Sequence, residues 1–351
     1  MKIAFWSFYE QNCLGMEMFL NPDSVVANGI FKKWNTLYSE CINNDIEIIS
    51  LDKVTDFEEI SFVVFSDFPI ISNPIVKNVF ESAIPKILII EEGPLIHPDN
   101  WKLSNHKLFN YIFTWNDDYV DNKKYFKFNV HYIDNVSTNI DLINKKKLLV
   151  MVARNKRAIG KNELYSERRK VIRFFEKLHP QDFDLFGQGW DIYYFPSNFP
   201  ILRLFNGRKL YWFRSKIKEY YSSWKGEVDD KKDLMSKYKF SVCFENAIGP
   251  TGYISEKIWD GFASGTVPIY FGAPNVTEHI PENCFIDYRN YKTLDDLYYY
   301  IKSINEREYK IYLDNINKFL KKEKSHQGQF TDLFFVNSFI KLLKDNTNKE
   351  P

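Results

Sequence analysis

The sequence predicts an α/β protein made of two doubly wound halves, each a parallel sheet with helices on both faces. Three observations carry this. The chain has 351 residues, too many for one ordinary core and suited to two. Short apolar runs of strand type alternate with longer amphipathic segments, the order that builds parallel sheets. A polar stretch at 129–147 interrupts the alternation, and a second series begins after it.

The elements follow in order. "KIAFWSF" (2–8), "IEIISL" (46–51), "FVVFSDF" (62–68), "KILIIEE" (86–92) and "YIFTW" (111–115) are the expected strands of the first half. Segments such as 25–43 and 75–83 between them suit helices. The second half opens on the strand "KLLVMVARN" (147–155) and the helix "ELYSERRKVIRFFEKL" (163–178). In that helix Leu164, Val171, Ile172, Phe175 and Leu178 share one stripe. "FDLFGQGW" (183–190) is a strand ending in a glycine turn, and 191–231 is irregular, aromatic and basic. "DLMSKYKF" then leads from a helix into the strand "SVCFEN", followed by a helix at 255–264 and a strand at 266–271. Helices are expected at 293–304, 306–322 and 331–345. The domains are therefore placed at 1–140 and 147–330, with 331–351 packing back on the first. Two such halves imply a central cleft, with ligands at the carboxyl ends of strands.

Composition narrows the function. Apolar residues make up 44% of the chain, enough for full cores, and 47 Lys+Arg stand against 46 Asp+Glu. No global field favours nucleic acid, so any anion site must be local. Cys13, Cys41, Cys243 and Cys284 show no CxxC spacing, which argues against a zinc site and against a disulfide framework. The opening "MKIAFWSFYEQN" lacks the basic and apolar regions of a secretory leader. No window approaches the ~20 apolar residues of a membrane helix. The expectation is a soluble cytoplasmic protein, with peripheral association at the inner membrane face left open.

The stretch "FSVCFENAIGPTGYISEKIWDGFASGTVPIYFGAP" (240–274) carries the chemistry. Its strand should end near Glu245-Asn246, and the glycines and proline of "AIGPTGY" make the next residues a loop. Ser255 is the expected N-cap of a helix, its hydroxyl satisfying a first-turn amide. Glu256 suits that first turn, whereas Lys257 does not, because the amino end of a helix is already electropositive. A lysine there makes sense where an anion shares the site with the backbone amides. The bland alternative is a solvated lysine.

These residues resemble the donor-binding motif of the α-1,3-fucosyltransferases, glycosyltransferase family 10, of bacterial type. Tyr238-Lys239-Phe240, Cys243-Phe244-Glu245-Asn246, Gly252-Tyr253, Glu256-Lys257, Thr266, Pro268, Tyr270, Gly272 and Pro274 all fit it. "FIDYRNYKTLDDLYYYIKSI" continues the likeness, which covers about 147–305 and is weak in the first half. The resemblance implies the GT-B architecture of two Rossmann-like domains, the first for the acceptor and the second for GDP-fucose. It implies transfer of L-fucose to a hydroxyl of a GlcNAc- or glucose-containing glycan, with inversion, no cofactor and no essential metal. The weak acidic runs "NDD" (116–118) and "VDD" (228–230) then read as loop carboxylates.

By the same resemblance Lys257 contacts the donor phosphates, and so does Arg169, with Arg168 as the alternative. Glu256 takes sugar hydroxyls of the donor. Asn246 and Tyr253 line the fucose and diphosphate pocket, and Glu245 binds the sugar or orders the loop. Gly187, Gly189 and Gly226 are either turns near the nucleotide or plain strand-ending turns. The base that deprotonates the acceptor is Glu92, in "EEGP" after a first-domain strand, with Glu91 as the alternative. His97 is a weaker competitor that reads better as a structural residue. The Pro250-Thr251 insertion departs from the family's motif, and the first half, which by the resemblance would choose the acceptor, departs from the family pattern as a whole. Two other functions stay open: transfer of another GDP-linked deoxyhexose, and binding of a nucleotide sugar or glycan without turnover.

Overall fold

The computed structural model describes residues 1–22, 31–130, 133, 145, 147–158, 160, 162–195, 205–206, 210–217 and 221–347. The chain forms two compact units. One holds Met1–Asn135, Pro250–Tyr253 and Lys322–Pro351, and the other Val136–Gly249 and Ile254–Lys321. The units divide at Asn135/Val136, ahead of the expected 140–147, and two further differences lie beyond that boundary. The short segment Pro250–Tyr253 belongs to the first unit, and the return to that unit begins inside the helix Glu306–Ser325.

The sheet of the first unit contains β1 (Lys2–Ser7), β2 (Glu47–Ser50), β3 (Phe62–Ser66), β4 (Lys86–Ile89), β5 (Tyr111–Thr114) and β6 (Tyr125–Lys127). They lie in the order β2-β1-β3-β4-β5-β6, all parallel. Side chains alternate between the faces, so Val64 enters one core while Val63 and Phe65 enter the other. Both faces are covered, which is why the central strand runs are mostly apolar. The helices Lys32–Asn43 and Asp332–Thr347 cover the first face, with Trp34, Phe335 and Phe339 packed against Phe113 or its neighbours. Pro74–Glu81 covers the second with Val76 and Val79. Each large side chain buried in this way contributes about 1.5–3 kcal/mol.

The second sheet contains β7 (Lys147–Val152), β8 (Phe183–Phe186), β9 (Tyr238–Phe244), β10 (Val267–Phe271) and β11 (Ile286–Asp287), in the order β11-β10-β9-β7-β8. It too is parallel. Its longer helices are Tyr165–Leu178, Glu256–Ala263, Leu294–Ser303 and most of Glu306–Ser325.

Most expected elements are present, with shifted ends. β6 was not foreseen: it is three half-buried residues of mixed polarity, too short for a period to show. The helix expected at 25–43 runs from Lys32 to Asn43, and its residues 25–30 lie outside the described ones. Within 191–231 the described residues include the helices Tyr211–Lys216 and, at the end, Lys231–Ser236. Residues 196–204, 207–209 and 218–220 lie outside the described ones. Among the described residues no helix is long and apolar enough to cross a membrane. The four cysteines are buried, and none is bonded to another.

Candidate functional site

In the second unit the motif stretch forms one network at the carboxyl ends of β9 and β10. Glu245 directly follows β9, and its backbone N–H donates to Phe271 O at 2.8 Å. Its carboxylate is fully buried and collects four donors: Ser255 N (2.8 Å), Ser255 Oγ (2.5 Å), Lys257 Nζ (3.3 Å) and Tyr270 Oη (3.4 Å). A buried carboxylate is tolerated only with such partners. Gly272 makes the room: a Cβ there would collide with the Glu245 side chain and the Tyr270 hydroxyl. Glu245 therefore orders the loop rather than standing open to a ligand.

Ser255 does precede the helix Glu256–Ala263, but its hydroxyl makes no capping bond. It donates to Glu245 instead and accepts from Lys257 Nζ at 2.8 Å. The expected cap is thus replaced by a bond to a stronger, charged acceptor. Lys257 is 18% exposed and also reaches Glu256 Oε1 at 3.1 Å. Glu256 is 45% exposed, so its carboxylate can accept a ligand's hydroxyls. Of the acceptors described around Lys257, Glu256 is the most exposed.

The two arginines have different surroundings. Arg168 is buried and donates through Nη2 to the carbonyls of Phe244 (2.5 Å) and Glu245 (2.8 Å) and to Asn246 Oδ1 (3.3 Å). It ties the end of β9 to the helix Tyr165–Leu178. Arg169 is half-exposed and donates to Lys156 O at 3.4 Å. Asn246 is held by Arg168 and by Leu164 N, which donates to its carbonyl at 2.9 Å. The glycine turns meet as well, Gly187 N donating to Gly226 O at 2.9 Å. Asp230 of the second acidic run caps the helix Lys231–Ser236 through Asp233 N.

The structure assigns Tyr253 to the first unit, its ring 4.7 Å from that of Trp115 and beside Gly93. Gly252 has φ +80°, and a Cβ there would strike the Trp115 carbonyl. A residue expected among the donor contacts of the second domain thus packs next to Glu92-Gly93.

In the first unit the strand-end loops after β3, β4 and β5 converge. Glu91 is committed: Lys33, 4% exposed, donates to its Oε2 at 2.5 Å, and Ser66 Oγ donates to Oε1 at 2.6 Å. Glu92 is half-buried and accepts from Tyr9 Oη at 3.1 Å. Burial, and then the Glu92 charge, push the Tyr9 phenol up. His97 Nε2 bonds the Phe68 carbonyl at 2.8 Å and its ring lies on Phe8, as the structural reading has it. Asp117 of the first acidic run pairs with Lys127 at 2.5 Å.

Sequence reasoning missed Asp67. It lies just past β3 with φ +60° and is buried. Its Oδ1 accepts from Glu91 N (2.8 Å), Glu92 N (3.0 Å) and Asn100 Nδ2 (2.7 Å). Burial, then the charges of Glu91 and Glu92, raise its pKa to about 7 against the two amide bonds that lower it. The visible signal was an Asp at a strand end, a residue type that tolerates the left-handed region. Among the described residues no group of three His, Cys, Asp or Glu side chains is arranged to hold a metal ion.

Residues 214–349 match the family model described as "Glycosyltransferase family 10 (fucosyltransferase) C-term". The chain is 39% identical over 87 residues to the alpha-(1,3)-fucosyltransferase FucT of Helicobacter pylori, which takes in 25% of this chain and 18% of that protein. It is 38% identical over 84 residues to GDP-fucose protein O-fucosyltransferase 3 of Gallus gallus, covering 23% and 18%. The chain thus matches less than a fifth of the length of these curated relatives. In fold it is similar to a solved alpha1,3-fucosyltransferase with GDP, with a TM-score of 0.53 at 17% identity over 89% of this chain and 81% of the other. It is also similar to Alr3699/HepE of Anabaena in complex with UDP, with a TM-score of 0.56 at 11% identity over 98% and 100%. The fold is that of the GT-B glycosyltransferases, two parallel-sheet Rossmann-like units.

Proposed function

We propose that this protein is a glycosyltransferase that moves L-fucose from GDP-fucose to a hydroxyl of a glycan. The observation that carries the reading is the family match over 214–349, which includes Glu245, Asn246, Glu256 and Lys257. The chemistry is a single in-line displacement. The acceptor oxygen forms a bond to the anomeric carbon as its proton passes to Glu92. The bond from that carbon to the phosphate oxygen breaks, and its electron pair leaves with GDP. The β-linked donor thereby becomes an α-fucoside.

Negative charge grows on the departing diphosphate, and fixed cations there lower the barrier. Lys257 and Arg169 are assigned this task in place of a metal, since Arg168 is already bound to carbonyls at the end of β9. Glu256 is assigned the donor hydroxyls, released from Lys257 as the phosphates arrive. Glu92 is preferred over Glu91 as base because both carboxylate oxygens of Glu91 are already engaged, one by the Lys33 ammonium and one by the Ser66 hydroxyl. An α-1,3-type linkage to a GlcNAc- or glucose-containing acceptor, in lipopolysaccharide or capsule, follows the resemblance. The test is GDP release from GDP-fucose with a lactosamine acceptor and then an acceptor array. Release that depends on acceptor and yields a fucosylated product supports the reading. GDP binding without turnover on any acceptor overturns it.

A further inference from the structure

The basic, aromatic segment after β8 contains a cluster that the transfer chemistry does not use. Arg214, in the helix Tyr211–Lys216, is 4% exposed, and its Nε and Nη1 have no hydrogen-bond partner among the described residues. A guanidinium cannot shed its proton to escape that burial, so it calls for an anion. Its Cζ stands 4.8 Å from the centre of the Tyr194 ring, and the Cζ of Arg157 stands 5.2 Å from the same centre. Two positive groups therefore lie within about 10 Å of each other. Arg157 Nη1 donates to Tyr194 O at 3.0 Å, and Tyr193 N donates to Arg214 O at 3.3 Å, so the cluster is built rather than draped.

The other end of Tyr194 meets a second unmet demand. Its hydroxyl lies 3.6 Å from the Cβ position of Gly189, and Asn155 Nδ2 donates to Gly189 O at 2.9 Å. Asn155 is 3% exposed, and its Oδ1 also has no partner among the described residues. Asn155 follows β7 and Gly189 follows β8. The cluster thus stands at the carboxyl edge of the second sheet, where doubly wound sheets take ligands. Arg214 needs an oxyanion, whereas the Asn155 oxygen needs a hydroxyl or N–H. One ligand meets both if it carries a phosphate or carboxylate on a hydroxylated frame.

We propose that Arg214, with Arg157 alongside and Asn155 opposite, forms a binding site for a sugar-borne oxyanion. A planar guanidinium suits either phosphate or carboxylate. The site is independent of the transfer reading, because it is read through stability rather than turnover.

The test measures the melting temperature of the full chain in phosphate-free buffer with glucose 1-phosphate, glucuronate or neutral glucose. One or both acidic sugars should raise it with the logarithm of concentration, and glucose should not. Which acid acts tells phosphate from carboxylate. Arg214→Gln should weaken that response roughly tenfold to a hundredfold, and without probe should melt at or above the wild type, because an unmatched charge is gone. Asn155→Asp, which sets a negative charge against an incoming oxyanion, should also weaken the response in a folded chain. Lys257→Met should retain it, separating this site from the proposed diphosphate contacts. The proposal is overturned if neither acid shifts the melting temperature or if Arg214→Gln responds as the wild type does. It is equally overturned if Arg214→Gln melts well below the wild type without probe.

Discussion

Removal of Lys257 should damage both stability and turnover, and the two losses should be separable. Glu245 is fully buried, and Lys257, 3.3 Å away, is the cation paired with it among the described residues. Lys257→Met leaves that carboxylate with three hydrogen-bond donors, Ser255 N, Ser255 Oγ and Tyr270 Oη, but without the ammonium. Orphaning a buried charge costs about 3–5 kcal/mol, and the remaining donors favour the lower end, about 3 kcal/mol. In a unit of roughly 180 residues that lowers the melting temperature by roughly 6–12 °C. Turnover should fall by roughly 10²–10³ if the lysine faces the leaving diphosphate. Adding Glu245→Gln neutralises the orphan and should restore most of the stability, while turnover stays low. Thermal melts and GDP-release rates on the wild type, both single variants and the double variant decide the matter. A Lys257→Met protein that melts like the wild type refutes the buried pair, and a double variant with recovered turnover refutes the phosphate role.

Three further outcomes follow. Glu92→Gln should leave the melting temperature nearly unchanged and cut turnover roughly 10²–10⁴-fold, whereas Glu91→Gln should cost about 3 kcal/mol by orphaning Lys33; denaturant melts beside initial rates distinguish them, and the reverse pattern would exchange their roles. Gly272→Ala should destabilise the second unit by about 1–3 kcal/mol and weaken GDP affinity, because its new methyl strikes Glu245; calorimetry with GDP reads both. Asp67, with a folded pKa near 7 against about 3.9 unfolded, binds more protons folded than unfolded between those values, so its contribution makes stability decline as pH rises from about 4 to 7; Asp67→Asn keeps an acceptor oxygen and tolerates φ +60°, so urea melts at pH 5 and pH 8 should show a flatter slope, and an unchanged slope would refute the assignment.

The fold was largely legible because both sheets are parallel and covered on both faces. Their central strands appear as unbroken apolar runs such as "FVVF" (62–65) and "ILII" (87–90), which need no partner to be recognised. That Glu245, Ser255 and Lys257 form one cluster was legible too, since the three are close in sequence. What local sequence could not carry was competition between partners. Ser255 has every mark of a cap, yet Glu245, ten residues earlier, claims its hydroxyl. Arg168 and Arg169 are adjacent and alike, and only the position of β9 commits the first to carbonyl oxygens. Tyr253 sits in a donor motif, but Trp115, far away in the chain, holds its ring. Asp67 looks like any turn residue until β3 and β4 pair and bring it under the amides of Glu91 and Glu92.

The two units use the same device at their strand ends. In each, a buried carboxylate just past a central strand accepts backbone amides of a neighbouring loop: Asp67 for the Glu91-Glu92 turn, Glu245 for Ser255 at the head of the helix Glu256–Ala263. The residue so held then presents a more exposed neighbour, Glu92 in one unit and Glu256 with Lys257 in the other. Burial makes the inner carboxylate a poor reagent and a good clamp, because every lone pair it uses is spent on a fixed donor. In the proposed reaction the outer groups exchange a protein partner for a ligand, Glu92 giving up Tyr9 and Lys257 giving up Glu256. Replacing an inner carboxylate by its amide should therefore change stability more than reaction rate, and replacing an outer group should do the reverse. Rates that fall equally for Asp67→Asn and Glu92→Gln would mean that the clamp and the reagent had been assigned the wrong way round.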